Sequence, residues 1–171
     1  MSIDAVIFDL GNTLIKQQID DKVTLDHLQL EPLPGALDTL EQLHNRYRIG
    51  LLTNTVQSNQ DHVLAAVAKL GLSPFIDCIV TSTDVGIKKP SGIMYQHILG
   101  CMGVRASNSI MVGNDLVADI LGASQVGMTT VFYSCEMDDW NNLAKVEWQP
   151  NYVIERLPDL IPLLDQIQNS T

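Results

Sequence analysis

A carboxylate ends the first apolar run of the chain. The run IDAVIF covers residues 3–8 and stops at Asp9, which is followed by Leu-Gly-Asn-Thr. A carboxylate at the tip of a buried strand loses hydration, and the loss is costly unless a cation or hydrogen-bond donors compensate the charge. Asp9 is therefore expected to have a binding partner or a chemical role.

Other polar side chains occupy comparable positions later in the chain. They follow apolar runs or precede a helical pattern, at Thr53-Asn54, Asn114-Asp115 and the lysine pair 88–89. Carboxylate and amide oxygens can bind Mg²⁺, while hydroxyl and ammonium groups can bind a phosphoryl group. With Asp9 as a nucleophile, this set of groups is typical of phosphoryl transfer.

Apolar runs that alternate with helical patterns predict how these groups meet. Strands are predicted at 3–9, 48–54, 75–82, 109–114, 128–134 and 151–155, and helices at 34–46, 58–70, 90–102, 116–126 and 158–168. Ser58 is predicted to cap the second helix. Near-continuous apolar strands between helices are typical of a parallel sheet covered on both faces, so the predicted fold class is doubly wound α/β. The candidate residues would then lie at the carboxyl ends of the strands, where such sheets bind ligands.

Composition and charge narrow the function classes. The 171 residues carry a net charge of −10 and are 46% hydrophobic, which fits one domain spanning 1–171. An acidic chain is not expected to bind nucleic acid or an anionic membrane. No run approaches the roughly 20 apolar residues of a membrane span, and residues 1–15 do not resemble a secretory signal, so a cytoplasmic location is expected.

Cysteines and tryptophans are interpreted as structural residues. The three cysteines are widely spaced and form no CxxC pair, which argues against a structural zinc site. Cys78 and Cys101 lie in apolar patterns and are predicted to pack in the core. Trp140 and Trp148 are predicted to pack the irregular stretch 135–150 onto the body of the protein.

Four stretches together resemble the haloacid dehalogenase-like (HAD) hydrolase superfamily. They are FDLGNTL, LLTNT, GIKKP and VGNDLVADILGASQVGM, and they occur in the order that this family has. The resemblance runs from residue 3 to about residue 134 and is loose over 135–171. It implies a Rossmann-like core and a magnesium-dependent phosphatase acting on a phosphorylated substrate.

The resemblance also implies roles for individual residues. Asp9 would be the nucleophile that forms an aspartyl-phosphate. Thr53, with Asn54, would bind the phosphoryl oxygens, and Lys89 would neutralise the nucleophile and the developing charge.

The same resemblance implies a metal site and two supporting side chains. Magnesium would be bound by Asp9, the backbone carbonyl of Gly11, and Asn114 or Asp115. Thr13 is expected to orient Asp9 through a hydrogen bond. Asp119 lies one helical turn beyond Asp115 and is expected to face Lys89.

Two positions depart from the family pattern. Gly11 stands where the family's phosphatases usually have an aspartate that acts as general acid and base, a role typically worth about 10²–10⁴-fold in rate. Asn114 stands where aspartate is usual. An amide oxygen can bind Mg²⁺ but adds no charge, so Asp115 is expected to take over part of this role.

The spacing of the motifs predicts a protein without a cap domain. Only a flap, about residues 15–33, fits before the first long helix, and only one helix and one strand fit between Thr53 and Lys89. The site would then be open, and either a macromolecular phosphosubstrate or a small one enclosed by a second subunit of a homo-oligomer is expected.

Three functions other than a phosphatase are alternatives for this pattern of residues. A non-catalytic scaffold of the same fold would explain Gly11 and Asn114. A phospho-accepting receiver domain needs an acidic pair after the first strand and its acceptor on the third, where this chain has Thr81-Ser82. Dehalogenation is disfavoured because an open site cannot desolvate a halide-bearing carbon.

Overall fold

One parallel sheet of six strands organises the protein. The computed structural model describes residues 2–16, 22–134 and 147–169. The strands are β1 (Ala5–Phe8), β2 (Arg48–Thr53), β3 (Cys78–Thr81), β4 (Ser109–Gly113), β5 (Thr129–Tyr133) and β6 (Tyr152–Ile154). Their order in the sheet is β3-β2-β1-β4-β5-β6, and every neighbouring pair is parallel.

Helices cover the sheet between these strands. They are α1 (Ala36–His44), α2 (Gln60–Lys69), α3 (Ser82–Val85), α4 (Gly92–Met102), a π-helix (Leu116–Leu121), α5 (Gly122–Gln125) and α6 (Leu160–Asn169). Short 3₁₀ turns occur at Leu25–His27, Ser73–Phe75, Ala106–Asn108 and Leu157–Asp159. The doubly wound α/β prediction is thereby confirmed.

The central strand β1 is buried on both faces. Ala5 and Ile7 pack on one side with α4 residues, whereas Val6 and Phe8 pack on the other, and all four are 0% exposed. Alternate residues of a strand point to opposite faces, so a strand buried on both sides must be apolar throughout. This requirement explains the uninterrupted apolar run that precedes Asp9.

The strand order reverses at β1, and this reversal places the candidate site. Chain connections run from β1 outward through β2 and β3, and then return to β4 on the other side of β1. Phe8 pairs with Val112, so the residues that follow β1 and β4 emerge side by side. A crevice forms where connections diverge at such a point, and it is the usual ligand site of doubly wound sheets.

Local structure differs from the sequence prediction in three places. Asn59, not Ser58, caps α2, because the Asn59 side chain accepts a hydrogen bond from the backbone N–H of His62. The predicted helix 116–126 divides into the π-helix and α5. The predicted strand 75–82 is shorter, because a 3₁₀ turn precedes β3 and α3 follows it.

The cysteine prediction was wrong for Cys101. Cys78 is buried in the core, as predicted, but the side chain of Cys101 is exposed on α4 and forms a disulfide with Cys78. The packing of α4 against β3 brings the two Cα atoms to 6.5 Å from each other. A pattern of apolar neighbours did not reveal this pairing, since the residues are separated by 23 positions.

No separately folded cap is found within the described residues between β1 and β3. The described parts of the flap, 15–16 and 22–33, hold one 3₁₀ turn, which packs along α2, whereas residues 17–21 lie outside the described ranges. Trp148 packs with Ile120 and Phe132, as predicted, while Trp140 lies in the stretch 135–146, outside the described ranges. Helices long and apolar enough to span a membrane are absent from the described residues.

Candidate active site

Lys89 lies between two carboxylates. Its Nζ donates to Asp9 Oδ1 at 2.7 Å and to Asp119 Oδ1 at 2.6 Å. A third hydrogen bond goes to the carbonyl of Leu52 at 2.8 Å, so all three ammonium hydrogens are used. The side chain of Asp119 is 1% exposed and that of Asp9 is 12% exposed. Asp9 is therefore the carboxylate of this group that reaches solvent.

The pKa values of Lys89 and Asp119 are both raised by their surroundings. Burial alone would lower the pKa of Lys89, but the carboxylates of Asp119 and Asp9 outweigh it and raise this pKa above its ordinary value. Burial raises the pKa of Asp119 to about 7, because the charge of Lys89 offsets burial only in part and Asp9 adds repulsion. Two carboxylates thus compete for one cation, which leaves the site short of positive charge.

Gly113 and the π-helix place Asp119 against Lys89. A Cβ on Gly113 would lie 2.3 Å from Asp119 Oδ2, so only glycine at the end of β4 allows the carboxylate to approach so closely. Asp119 Oδ2 also accepts a hydrogen bond from the backbone N–H of Asp115 at 3.0 Å. The spacing of four residues between these aspartates produces the contact with Lys89 that the sequence predicted.

Thr13 bridges the ends of β1 and β4. Its Oγ1 lies 3.3 Å from Asp9 Oδ2 and 3.2 Å from Asn114 Oδ1. The loop that carries Thr13 is held by the carbonyl of Leu10, which accepts hydrogen bonds from the N–H groups of residues 13–15. Asn12 adopts φ of 57° in this loop, a left-handed conformation that asparagine tolerates better than most residues.

The side-chain oxygen atoms around Thr13 are suitable ligands for a hard divalent cation. A threonine hydroxyl has one hydrogen, so it can satisfy either Asp9 or Asn114 but not both at once. The acceptor left without a hydrogen bond is a carboxylate or amide oxygen, the ligand types that Mg²⁺ prefers, and Gly11 lies on the same loop. Within the described residues, groups of three or more His, Cys, Asp or Glu arranged to hold a metal ion are absent.

Asp115 has a structural contact of its own. Its Oδ1 accepts hydrogen bonds from the backbone N–H groups of Val117 at 2.9 Å and Ala118 at 2.8 Å, and thereby caps the π-helix. The residue is exposed and borders the cleft. Of the two candidate ligands after β4, Asn114 is the one that shares a hydroxyl with Asp9.

Asn54 contacts the backbone of Lys89 on both sides. Its Oδ1 accepts from the Lys89 N–H at 2.8 Å, and its Nδ2 donates to the Lys89 carbonyl at 3.1 Å. The following peptide bond, Lys89-Pro90, is cis. These two contacts engage both polar ends of the Asn54 side chain. The role of Asn54 as a phosphate ligand stays a prediction.

Thr53 and the turn that follows it form the side of the site opposite Asn114. Thr53 is 5% exposed and borders the cleft. The next turn is fixed by Ser82, whose Oγ accepts from the N–H of Thr55 at 2.8 Å and donates to its carbonyl at 3.0 Å. Sequence reasoning missed Thr55 and Ser82 as site residues. Only their positions, two residues after β2 and one residue after β3, could have marked them.

A cleft of about 260 Å³ connects these groups to solvent. Its floor holds the predicted residues at the ends of β1, β2 and β4 together with Lys89, but Thr13 is not in its lining. Its other sides were not predicted in detail and come from the flap and from the loop after β2. They include Ile15, Val23, Leu25, Leu28 and residues 55–58.

A match to a known protein family covers most of the chain. Residues 18–127 match the family described as haloacid dehalogenase-like hydrolase, and this span is more than half of the chain. The chain belongs to the haloacid dehalogenase-like hydrolases.

Two curated relatives extend the comparison. The chain is 36% identical over 141 residues to a ribulose-1,5-bisphosphate 5-phosphatase from Halopiger xanaduensis, covering 80% of this chain and 58% of the relative. It is 35% identical over 111 residues to a glyceraldehyde 3-phosphate phosphatase from Methanothermobacter thermautotrophicus, covering 64% and 48%. The chain thus spans about half the length of these relatives.

Solved structures support the fold. An uncharacterized protein from Listeria monocytogenes serotype 4b superposes with a TM-score of 0.85 at 22% identity, covering 98% of this chain and 99% of that one. Likeness at this level of identity concerns the fold alone.

Proposed function

We propose that the protein is a magnesium-dependent phosphohydrolase that acts through an aspartyl-phosphate on Asp9. The observation that carries the proposal is the position of the Asp9 carboxylate. It is rigidly held at the end of a buried strand, paired with Lys89 at 2.7 Å, and it borders an open cleft. The relatives named as phosphatases support the same class of reaction.

The proposed reaction has two steps. A carboxylate oxygen of Asp9 forms a bond to phosphorus, and the bond from phosphorus to the ester oxygen breaks. Water then attacks the phosphorus of the aspartyl-phosphate, which releases inorganic phosphate and restores the carboxylate. Lys89 stays charged through both steps, because its pKa is raised, and it stabilises the negative charge beside Asp9.

Gly11 determines the source of the proton that the leaving group receives in the first step. Since position 11 has no side chain, the leaving oxygen takes its proton from water. A leaving group that is stable as an anion needs little protonation, whereas an alkoxide needs much. Aryl and acyl phosphates are therefore expected to react faster than alkyl phosphates.

Magnesium would be bound by Asp9, the carbonyl of Gly11 and Asn114, with Asp115 at the edge of the site. When bound, it supplies positive charge that screens the phosphoryl group from the neighbouring carboxylates. Thr13 holds Asp9 and Asn114 in a common orientation, and Thr53 donates its hydroxyl hydrogen to a phosphoryl oxygen.

Phosphate release from phenyl phosphate tests the proposal. The wild type, Asp9→Asn and Asp38→Asn are compared with Mg²⁺ and with a chelator. Asp38 is exposed on α1, so its replacement removes the same charge without touching the cleft. We expect activity in the wild type and Asp38→Asn that disappears with the chelator, and none in Asp9→Asn. Activity in Asp9→Asn would refute the nucleophile. Inactivity of every protein on a broad panel of phosphates would favour a scaffold.

A further inference from the structure

The cleft has an apolar wall on one side of the phosphoryl site. The apolar wall consists of Val23, Leu25, Leu28 and Val56, which border the same cleft as Asp9 and Lys89. Ile15 lies beneath it in the core and is 2% exposed. Val56 is the most exposed residue of the wall, at 61%, so an apolar ligand that covers it would remove aliphatic surface from water. A ligand seated on Asp9 would extend along this wall.

Hydrogen bonds hold the wall in place. The backbone N–H of Leu25 donates to Ser58 Oγ at 2.9 Å, and Ser58 is 4% exposed. Lys69 on α2 donates its ammonium hydrogen to the carbonyl of Asp26. At the other end of the flap, the N–H of Leu33 donates to the carbonyl of Leu14 at 2.8 Å. The part of the wall that comes from residues 22–33 is therefore preorganised, and a substrate can bind against it with little loss of conformational entropy in these residues.

Charge in the cleft disfavours a second anionic group on the substrate. Asp9, Asp115 and Asp119 contribute three carboxylates to the described lining, and Lys89 contributes the one cation there. The ammonium of Lys89 is already bound by two of these carboxylates. A distant phosphate or carboxylate on the substrate would meet aliphatic carbon, carboxylate oxygens and the neutral polar residues 54, 55, 57 and 58. Since the described lining holds no second cation, the charge of that group would not be compensated.

We propose that the apolar wall selects phosphomonoesters whose phosphate is carried by a short, uncharged, apolar group. The cleft volume of about 260 Å³ is below the range of about 300–1,000 Å³ that holds drug-sized ligands, so the part of the substrate that the cleft encloses is small. This inference rests on the proposed function. It also separates the chain from the relative named a ribulose-1,5-bisphosphate 5-phosphatase, whose named substrate has a second phosphate.

A series of alkyl phosphates tests the selectivity. Methyl, butyl and hexyl phosphate measure the apolar contact, and 5-carboxypentyl phosphate has the length of hexyl phosphate with a charged end. We expect kcat/KM to rise roughly threefold for each methylene group that reaches the wall, and to fall about tenfold when the carboxylate is added. Equal kcat/KM for hexyl and carboxypentyl phosphate would overturn the proposal.

Val56→Lys examines the wall itself. It places a cation on the wall, so the preference for hexyl over carboxypentyl phosphate should shrink or reverse. Leu37→Lys is the matched control, because Leu37 is 41% exposed on α1 and does not border the cleft. An equal change in both variants would mean that overall charge, not the wall, sets the preference, and this would overturn the proposal.

Binding of non-hydrolysable phosphonates separates selectivity from catalysis. Calorimetry with methyl-, hexyl- and 5-carboxypentylphosphonate in the presence of Mg²⁺ requires no turnover. Tighter binding of hexylphosphonate than of the other two, lost in Val56→Lys, supports the wall even if no ester is hydrolysed, in which case only the proposed function fails. Hydrolysis of esters without any difference among the phosphonates overturns the wall and leaves the proposed function intact. Absence of binding by all three phosphonates also overturns the wall.

Discussion

Asn54 binds the backbone of Lys89 through both ends of its side-chain amide, at 2.8 Å and 3.1 Å. The two residues come from different parts of the chain, 35 positions apart. The contact joins the end of β2 to the segment before α4, and therefore fixes the position from which the lysine side chain extends to Asp9.

Asn54→Ala should reduce kcat by about 10²-fold with a smaller effect on KM, because a shift of about 1 Å in a catalytic group has an effect of this size. If Asn54 acts through Lys89, the double variant Asn54→Ala/Lys89→Ala should be no less active than Lys89→Ala alone. Steady-state kinetics of the three variants measures this. Additive losses together with a raised KM would instead identify Asn54 as a phosphate ligand.

Asp119 should make stability depend on pH. Its pKa is raised from 3.8 to about 7 in the folded protein, so the folded state binds more protons than the unfolded state between these values. The stability that this group contributes therefore falls as the pH rises from about 4 to about 7. Free energies of unfolding from urea denaturation, without metal, should decrease more steeply over this window in the wild type than in Asp119→Asn. Parallel curves would contradict the raised pKa.

Gly11→Asp should restore a proton donor beside the leaving group. Turnover of butyl phosphate should rise more than turnover of phenyl phosphate, by up to about 10²-fold, because the alkoxide benefits more from protonation. Gly100→Asp is the control, since a Cβ at Gly100 meets no atom within 4 Å and the residue lies on the exposed side of α4. The same rise for both esters would argue against general acid catalysis at position 11.

Asn114→Asp should tighten the binding of Mg²⁺ by about tenfold, or about 1.4 kcal/mol, because it adds a ligand charge beside Asp9. Calorimetric titration of the variant and the wild type with MgCl₂ gives the two affinities. Asn45→Asp adds the same charge on the exposed end of α1 and should leave the affinity unchanged. A shift as large in this control would mean that net charge alone attracts the ion.

The floor of the site was predictable because it follows from strand periodicity. Apolar runs locate the carboxyl ends of parallel strands, and these ends must lie together at one edge of the sheet. Asp9, Thr53 and Asn114 were found in this way, and the helical spacing from Asp115 gave Asp119.

The walls of the cleft and several side-chain contacts were not predictable in the same way. The flap has no periodic pattern, so nothing in its sequence indicates that Leu25 is tied to Ser58 by a hydrogen bond. Asn54 and Asp115 were assigned to ligands because amides and carboxylates bind phosphate or metal, yet both engage backbone groups nearby. Side chains of this kind serve turns and caps as readily as ligands.

Chemical trapping of the phosphorylated protein is the most direct test of Asp9 as the nucleophile. The wild type is mixed with phenyl phosphate and Mg²⁺, reduced with borohydride while turnover continues, and digested for mass spectrometry. Borohydride converts an aspartyl-phosphate to homoserine, so we expect homoserine at position 9 in the wild type and at no position in Asp9→Asn. Rapid phosphate release by the wild type without homoserine at position 9, or with homoserine at another aspartate, would contradict it.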